Sequence, residues 1–240
     1  MNREKNPALI LIFVLFLVWG APGVIVAQTA STATGLFEAH TDVGTVLHPG
    51  SLAYDTSTQA YVVTGSGENM WFATDAFHFA WKKMSGNVSL TADISFADTS
   101  GSAHKKAVLM VRQNLDADSA YADVALHASG LTSLQYREEK GATTREVQSN
   151  ISAPARLRIV KQGDFVYLWL ADASGGFKVA GASVRLPLQG PFYVGIGVCS
   201  HDKDAVEKAV FRRVDFDYAA RPSGRAEALQ RAGNSGDRLH

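Results

Sequence analysis

Between Val88 and Phe96 apolar and polar residues alternate without a break. Val88, Leu90, Ala92, Ile94 and Phe96 oppose Ser89, Thr91, Asp93 and Ser95. A period of two marks a strand with one face on a core and the other in water, whereas a helix would place Val88 and Leu90 on different faces. Tyr121 to His127 alternates in the same way, with Ala122, Val124 and Leu126 on one face. Ala107 to Val111 is apolar throughout, which predicts a central strand covered on both sides. Further strands are expected at 50–54, 61–64, 77–83, 131–137, 155–160, 165–170, 177–186, 192–199 and 210–218. Gly65-Ser66-Gly67 reads as a turn, and Lys161-Gln162-Gly163-Asp164 as the tight turn of a hairpin. No segment carries a helical period, and Asp116–Ala120 has room for one helical turn at most. About a dozen short strands separated by turns, with no helices to cross between them, exclude a parallel sheet. Strands this short and this often wholly apolar also argue against a lipid-facing barrel. The expected fold is all-β, a two-sheet antiparallel jelly-roll sandwich.

The two ends break this pattern. Arg3 and Lys5 precede the apolar run Ala8–Trp19, which stops at Gly20, Pro22 and Gly23 and leads to Ile25-Val26-Ala27. A basic start, a short apolar stretch and a small-residue exit predict a signal peptide over 1–27. The run is shorter than the roughly 20 residues of a membrane span, so no stable membrane insertion is expected after cleavage. Residues 28–34 read as a flexible leader, 35–219 as the β-sandwich domain and 220–240, studded with Gly, Pro, Ser and Arg, as a disordered tail. The implied location is secreted or periplasmic, in a bacterial envelope.

Composition narrows the partners. Lys plus Arg and Asp plus Glu both number 23 in 240 residues, so the net charge is zero. A nucleic-acid partner is not expected, because phosphate binding calls for a basic excess. Cys199 is the only cysteine, which excludes an internal disulfide and leaves stability to the core. It closes the apolar run Phe192–Val198 and reads as a buried strand-end thiol. Oligomeric state is left open.

Several motifs occur together in a familiar order: Tyr61-Val-Val-Thr-Gly-Ser-Gly67, Asn69-Met-Trp71, Asp75-Ala-Phe77, Gly86-Asn-Val-Ser-Leu-Thr-Ala92, Ala107-Val-Leu-Met-Val-Arg-Gln-Asn-Leu115, Arg158-Ile-Val-Lys-Gln-Gly163 and Tyr193-Val-Gly-Ile-Gly197. This series resembles the family called domain of unknown function 1349, concanavalin A-like or laminin-G-like jelly rolls of bacterial exported proteins. The resemblance spans about Gly35 to Tyr218. It implies a fold more than an activity, with ligands such as sugars meeting the concave sheet or its rim. The chain departs from the family at Ser85-Gly86-Asn87, at Ala107, at Ala153-Pro154-Ala155 and at Ala171–Phe177, which weakens any transfer of ligand binding.

No catalytic set stands out. Retaining glycosidases need two carboxyl groups on one strand face, and neither Glu-x-Asp-x-Glu nor Glu-x-Asp-x-x-Glu occurs. There is no Gly-x-Ser-x-Gly elbow, and no two histidines have zinc-ligand spacing. Asp116, Asp118, Asp202 and Asp204 read as solvated loop acids, with calcium as the alternative. No catalytic residue, metal or cofactor is expected. The ligand-binding candidates are Trp71, Arg112, Asp123, Gln135 and Arg137, since aromatic rings stack on sugar faces and arginine offers a rigid donor fork. Parity on the strand 131–137 sends Leu134 and Tyr136 one way, Gln135 and Arg137 the other. With leucine on the core, Gln135 and Arg137 should face solvent beside Asp123, with Arg112 at the sheet edge. Replacing Arg137 should then cost little, on the order of 0.5 kcal/mol. Trp169, with Phe165 and Tyr167, reads as core, while Trp71 and Trp81 are open between core and ligand face. The expected function is a non-catalytic exported binding module for a glycan or an envelope protein. The alternatives are a glycoside hydrolase-like enzyme and a purely structural envelope protein.

Overall fold

The computed structural model describes residues 34–218 apart from 155, 172, 173 and 182. The predicted signal peptide, nearly all of the leader and the predicted tail lie outside the described residues. Seventeen strands are present among those described. In chain order they are β1 (Ala39–Val43), β2 (Ser51–Asp55), β3 (Ala60–Gly67), β4 (Met70–Trp71), β5 (Thr74–Asp75), β6 (Phe77–Met84), β7 (Val88–Phe96), β8 (Lys106–Arg112), β9 (Tyr121–His127) and β10 (Thr132–Arg137). They continue with β11 (Arg145–Gln148), β12 (Arg156–Gln162), β13 (Phe165–Ala171), β14 (Phe177–Val179), β15 (Val184–Arg185), β16 (Phe192–Cys199) and β17 (Asp202–Asp217). The front sheet has the order β1-β6-β16-β8-β9-β10-β11. The back sheet runs β14-β13-β12-β7-β17-β3-β2, with β15 beside β13, and β4 and β5 form a separate small hairpin. The two large sheets make the expected antiparallel sandwich. Among the described residues no helix is long and apolar enough to cross a membrane.

Aliphatic side chains fill the space between the sheets. Leu109, Val124, Leu134 and Ile196 from the front sheet share one cluster with Leu90, Ile159, Leu168 and Phe211 from the back. Each such side chain contributes roughly 1.5–3 kcal/mol when removed from water. β8 is central and buried on both faces, as its unbroken apolar run requires. In β16 a side chain at Gly195 would meet the Ala80 carbonyl at 1.9 Å and the Phe79 ring at 2.9 Å. Glycine there lets the neighbouring Phe79 lie flat across the front face.

Other expectations need correction. Gly65-Ser66-Gly67 is not a turn but the buried end of β3, packed so closely that a Cβ on Gly67 would sit 2.0 Å from the Ala76 carbonyl. The strand expected over 177–186 is two short pieces, β14 and β15, each bonded to a different part of β13. β17 begins at Asp202, well before 210, because β3 offers it a partner despite its polar first half. β1, β4, β5 and β11 carry too few apolar residues to show as strands in the sequence. Ser89 and Thr91 are buried rather than solvated, because β7 lies between β12 and β17 and Arg158 covers it by donating to Thr91 Oγ1 at 2.8 Å.

Candidate functional site

The outer face of the front sheet is where polar residues gather. Strand register lays them out in rows. One row crosses Lys83, Tyr193, Arg112, Tyr121 and Arg137. The next crosses Trp81, Gly195, Met110, Asp123, Gln135 and Glu146, and a third runs through Phe79, Gly197, Val108, Ala125, Ser133 and Gln148. Lys106 and His127 pair in a fourth. Parity therefore does bring Arg112, Asp123, Gln135 and Arg137 onto one face, away from the sheet-to-sheet core.

That face is covered, not open. The segment after β3 folds back across it as the β4–β5 hairpin. Arg137 is the main clamp. Its guanidinium donates to Asp75 Oδ1 at 2.7 Å and Oδ2 at 2.9 Å, and to the carbonyls of Phe72, Ala117, Ser119 and Ala142 at 3.0–3.3 Å. It stacks on the Tyr121 ring at 4.9 Å. Arg112 approaches the same Asp75 at 3.5 Å and donates to the carbonyls of Asn114 and Asp116 at 2.7 and 2.6 Å. Asp75 and both arginine side chains are fully buried. Burial pushes the Asp75 carboxyl above its ordinary pKa, against the pull of the Arg137 hydrogen bond and both positive charges. The expectation of solvent-facing Arg137 and edge-lying Arg112 is thus corrected. Both guanidinium groups find their partners in the hairpin and in the 114–120 loop, and those partners seal them from water.

Beside the clamp lies a buried polar patch of a different kind. Asp123, Ser133 and Gln135 are buried, yet Asp123 Oδ1 and Oδ2 and Gln135 Oε1 have no hydrogen-bond partner, while the Ser133 hydroxyl turns to the Glu146 carboxylate. A buried, unpaired polar atom costs about 1–3 kcal/mol, so three on one patch call for an explanation. Gln135 thus lies buried in this patch instead of facing solvent. Lys106 lies beside it, donating to Asn69 Oδ1 and the Met70 carbonyl at 3.1 Å each, with its ammonium 5.3 Å from the Trp71 ring centroid. Trp71 and Glu146 are half-buried. Burial drives the Asp123 carboxyl well above its ordinary pKa, with Lys106 the foremost charge opposing that rise. Burial lowers Lys106 and takes His127 down to about 4, leaving that imidazole neutral. For Glu146 burial works against the charge, but hydrogen bonds from Gln135 and Gln148 outweigh it and keep the carboxylate ionised. The patch thus combines a carboxyl whose pKa burial raises, a carboxylate whose pKa its hydrogen bonds lower, a lysine and an aromatic ring.

Of the five sequence candidates, Asp123 and Gln135 form the patch and Trp71 lies beside Lys106, while Arg112 and Arg137 belong to the clamp. Lys106, Ser133 and Glu146 were missed. Parity placed Ser133 beside Gln135, but Lys106 begins an apolar strand and Glu146 lies in a strand with no pattern. Trp169 is also corrected. Val166, Leu168 and Leu170 take the core, which leaves Phe165 exposed and Tyr167 and Trp169 half-buried on the outer face of the back sheet. Trp81 packs edge-on against Tyr193 on the front face, with ring centroids 4.9 Å apart. Asp116 and Asp118 both pair with Lys140, and Asp202 and Asp204 open β17. Among the described residues no group of three or more His, Cys, Asp or Glu is arranged to hold a metal ion.

No family model matches the chain, and no curated protein matches it in sequence. Solved structures do match. A functionally unknown protein from Saccharomyces cerevisiae aligns with a TM-score of 0.57 at 12% identity, over 76% of this chain and 97% of that one. A seed lectin of Lotus tetragonolobus aligns with a TM-score of 0.47 at 7% identity, over 75% and 97%. An alginate lyase of polysaccharide lyase family 7 aligns with a TM-score of 0.44 at 9% identity, over 74% and 93%. The overlap with the yeast protein supports the fold alone. The two looser overlaps carry no argument. The chain is a β-sandwich of jelly-roll type.

Proposed function

We propose that this protein is an exported, non-catalytic binding module whose front-sheet polar patch takes part of a glycan. The observation that carries the reading is the set of unpartnered acceptors on Asp123 and Gln135, neighbours across β9 and β10. Converging polar groups beside an aromatic ring suit a ligand with both hydroxyls and flat apolar faces. Export rests on the Arg3–Ala27 pattern, and membership of the 1349 family on the motif order. Catalysis is the second reading, because Asp123 and Glu146 share one sheet face with their pKa values pushed in opposite directions, as an acid and a base would be. The buried patch and the lack of a carboxylate pair on one strand favour binding. A glycan array and a reducing-sugar assay on the purified mature protein separate the two. Retention of a glycan without sugar release supports the module. Sugar release abolished by Asp123→Asn or Glu146→Gln would establish an enzyme instead, and silence in both assays would refute the glycan reading.

A further inference from the structure

The tip of the β4–β5 hairpin carries a residue that local physics disfavours twice. Trp71 pairs with Thr74, so Phe72 and Ala73 form a two-residue loop. In such loops glycine ordinarily supplies a positive φ at the first position, because a side chain is strained there. Here that position holds phenylalanine, with φ at 50°. The turn is not free to relax. The Phe72 carbonyl accepts from the Arg137 guanidinium at 3.1 Å and from the Thr144 N–H at 2.8 Å. The same guanidinium holds Asp75, where the hairpin ends. Packing does not repay the strain. Phe72 is 67% exposed, the most open of the large apolar side chains among the described residues. A bulky residue held in the left-handed region by its surroundings, with its ring in water, points to a contact outside the fold.

We propose that Phe72 is a stacking platform on which a sugar ring lays its C–H face. This rests on the glycan reading above and adds the point at which the glycan is met from solvent. The hairpin sets the ring beside the polar patch. Thr144, which holds the turn, lies two residues before Glu146, and Glu146 pairs across the strands with Gln135. Asp123 and Gln135 are closed to water, whereas Phe72 is exposed and Glu146 half-buried. Size selects the occupant. Two-thirds of an aromatic side chain that buries about 150–250 Å² leaves roughly 100–170 Å² to cover. Polar Glu68 and Thr74 stand exposed on either side in the chain. That area is small against the roughly 800 Å² each side of a protein interface needs. It matches one six-membered sugar ring. The electron-rich face of the phenyl ring attracts the C–H hydrogens of the sugar, and the hydroxyls at the sugar's edge stay free to donate to the Glu146 carboxylate.

An open ring asks of a sugar only an unobstructed C–H face. Cellotetraose, whose ring substituents are all equatorial, offers one on every residue and is the probe. It is titrated into the intact mature protein, labelled with nitrogen-15, up to about 10 mM, a range that reaches weak single-ring contacts. Amide and indole shifts are expected to centre on residues 71–74 and on Thr144 to Glu146. Phe72→Gly should weaken binding at least about tenfold, and Phe72→Trp should keep it. The urea midpoint of Phe72→Gly should hold or rise, because glycine relieves the positive φ. A clear fall in that midpoint would show that the ring packs against the domain and would overturn the proposal. So would unchanged affinity in Phe72→Gly, shifts that leave the hairpin silent, or no binding of cellotetraose. Self-association, or sedimentation with phosphatidylcholine vesicles, that Phe72→Gly abolishes would assign the ring to a second copy or to a lipid surface and overturn it too. The glycan reading is judged separately on the array. Glycans retained there by the unaltered protein and by Phe72→Gly alike would leave that reading standing without this platform.

Discussion

Arg137→Ala is expected to be among the most damaging single substitutions in the domain. The side chain is fully buried and its five N–H groups are shared among seven acceptor contacts, two with the Asp75 carboxyl, four with carbonyls and one with Thr144 Oγ1 at 3.2 Å. Removing it leaves Asp75 buried with only the longer 3.5 Å approach of Arg112. Breaking a buried pair by deleting one partner costs about 3–5 kcal/mol, chiefly through the charge left behind. Against a typical total stability of roughly 5–15 kcal/mol, that is a large share. A urea slope of about 2 kcal/mol per M would turn it into a midpoint shift of about 2 M. Far-ultraviolet circular dichroism in urea measures this directly, and a cycle with Asp75→Ala apportions it. The double variant should lose less than the sum of the single losses, because each single change strands the other charge. A loss below about 1 kcal/mol for Arg137→Ala, or strict additivity in the cycle, would refute the clamp.

Three further outcomes follow. Cys199 is fully buried at the end of β16, its thiol pushed by burial up to about 11, so it should resist a thiol reagent in the native state and react on addition of denaturant; fast native labelling would show that the β16 end opens. His127 titrates near 4 in the fold against about 6.5 when unfolded, so the unfolded chain binds more protons between those values. Stability contributed this way is complete above about pH 6.5 and is lost as pH falls toward 4, by about 3 kcal/mol from the 2.5-unit difference. Urea midpoints at pH 7 and pH 5 should differ less in His127→Gln than in the unaltered protein, and an unchanged difference would count against it. His78 is likewise held low by burial despite its 2.7 Å contact with Asp42, and it adds to the loss in the same direction.

The strands that could be read from sequence are those with two unlike faces. Val88–Phe96 and Tyr121–His127 alternate because one side meets the other sheet, and parity on the strand after them was enough to set Gln135 and Arg137 apart from Leu134 and Tyr136. Pattern alone could not show that this second face is roofed. The roof is a hairpin of two-residue strands whose sequence, Met70 to Asp75, carries no period, and its attachment depends on side chains from three strands distant in sequence, β8, β9 and β10. On β13 both faces are apolar, Phe165, Tyr167 and Trp169 against Val166, Leu168 and Leu170, so periodicity named two candidates for the core and could not choose. The aliphatic set fits between the sheets and the rings are left outside. Asp202–Glu207 has no apolar alternation at all, and its strand exists because β3 supplies a hydrogen-bonding edge.

The central claim is that the polar patch around Asp123 and Gln135 holds a glycan, and the most direct test is binding to a Ser133→Ala, Gln135→Leu double variant. These changes remove the unpartnered Gln135 oxygen together with the Gln135 and Ser133 hydrogen bonds to the half-buried Glu146, two opposing effects that should leave thermal stability nearly unchanged. The account predicts that this variant keeps the melting temperature of the unaltered protein and loses at least about tenfold in affinity for whichever sugar the array retains. Unchanged affinity in a folded variant would place the ligand elsewhere and contradict it.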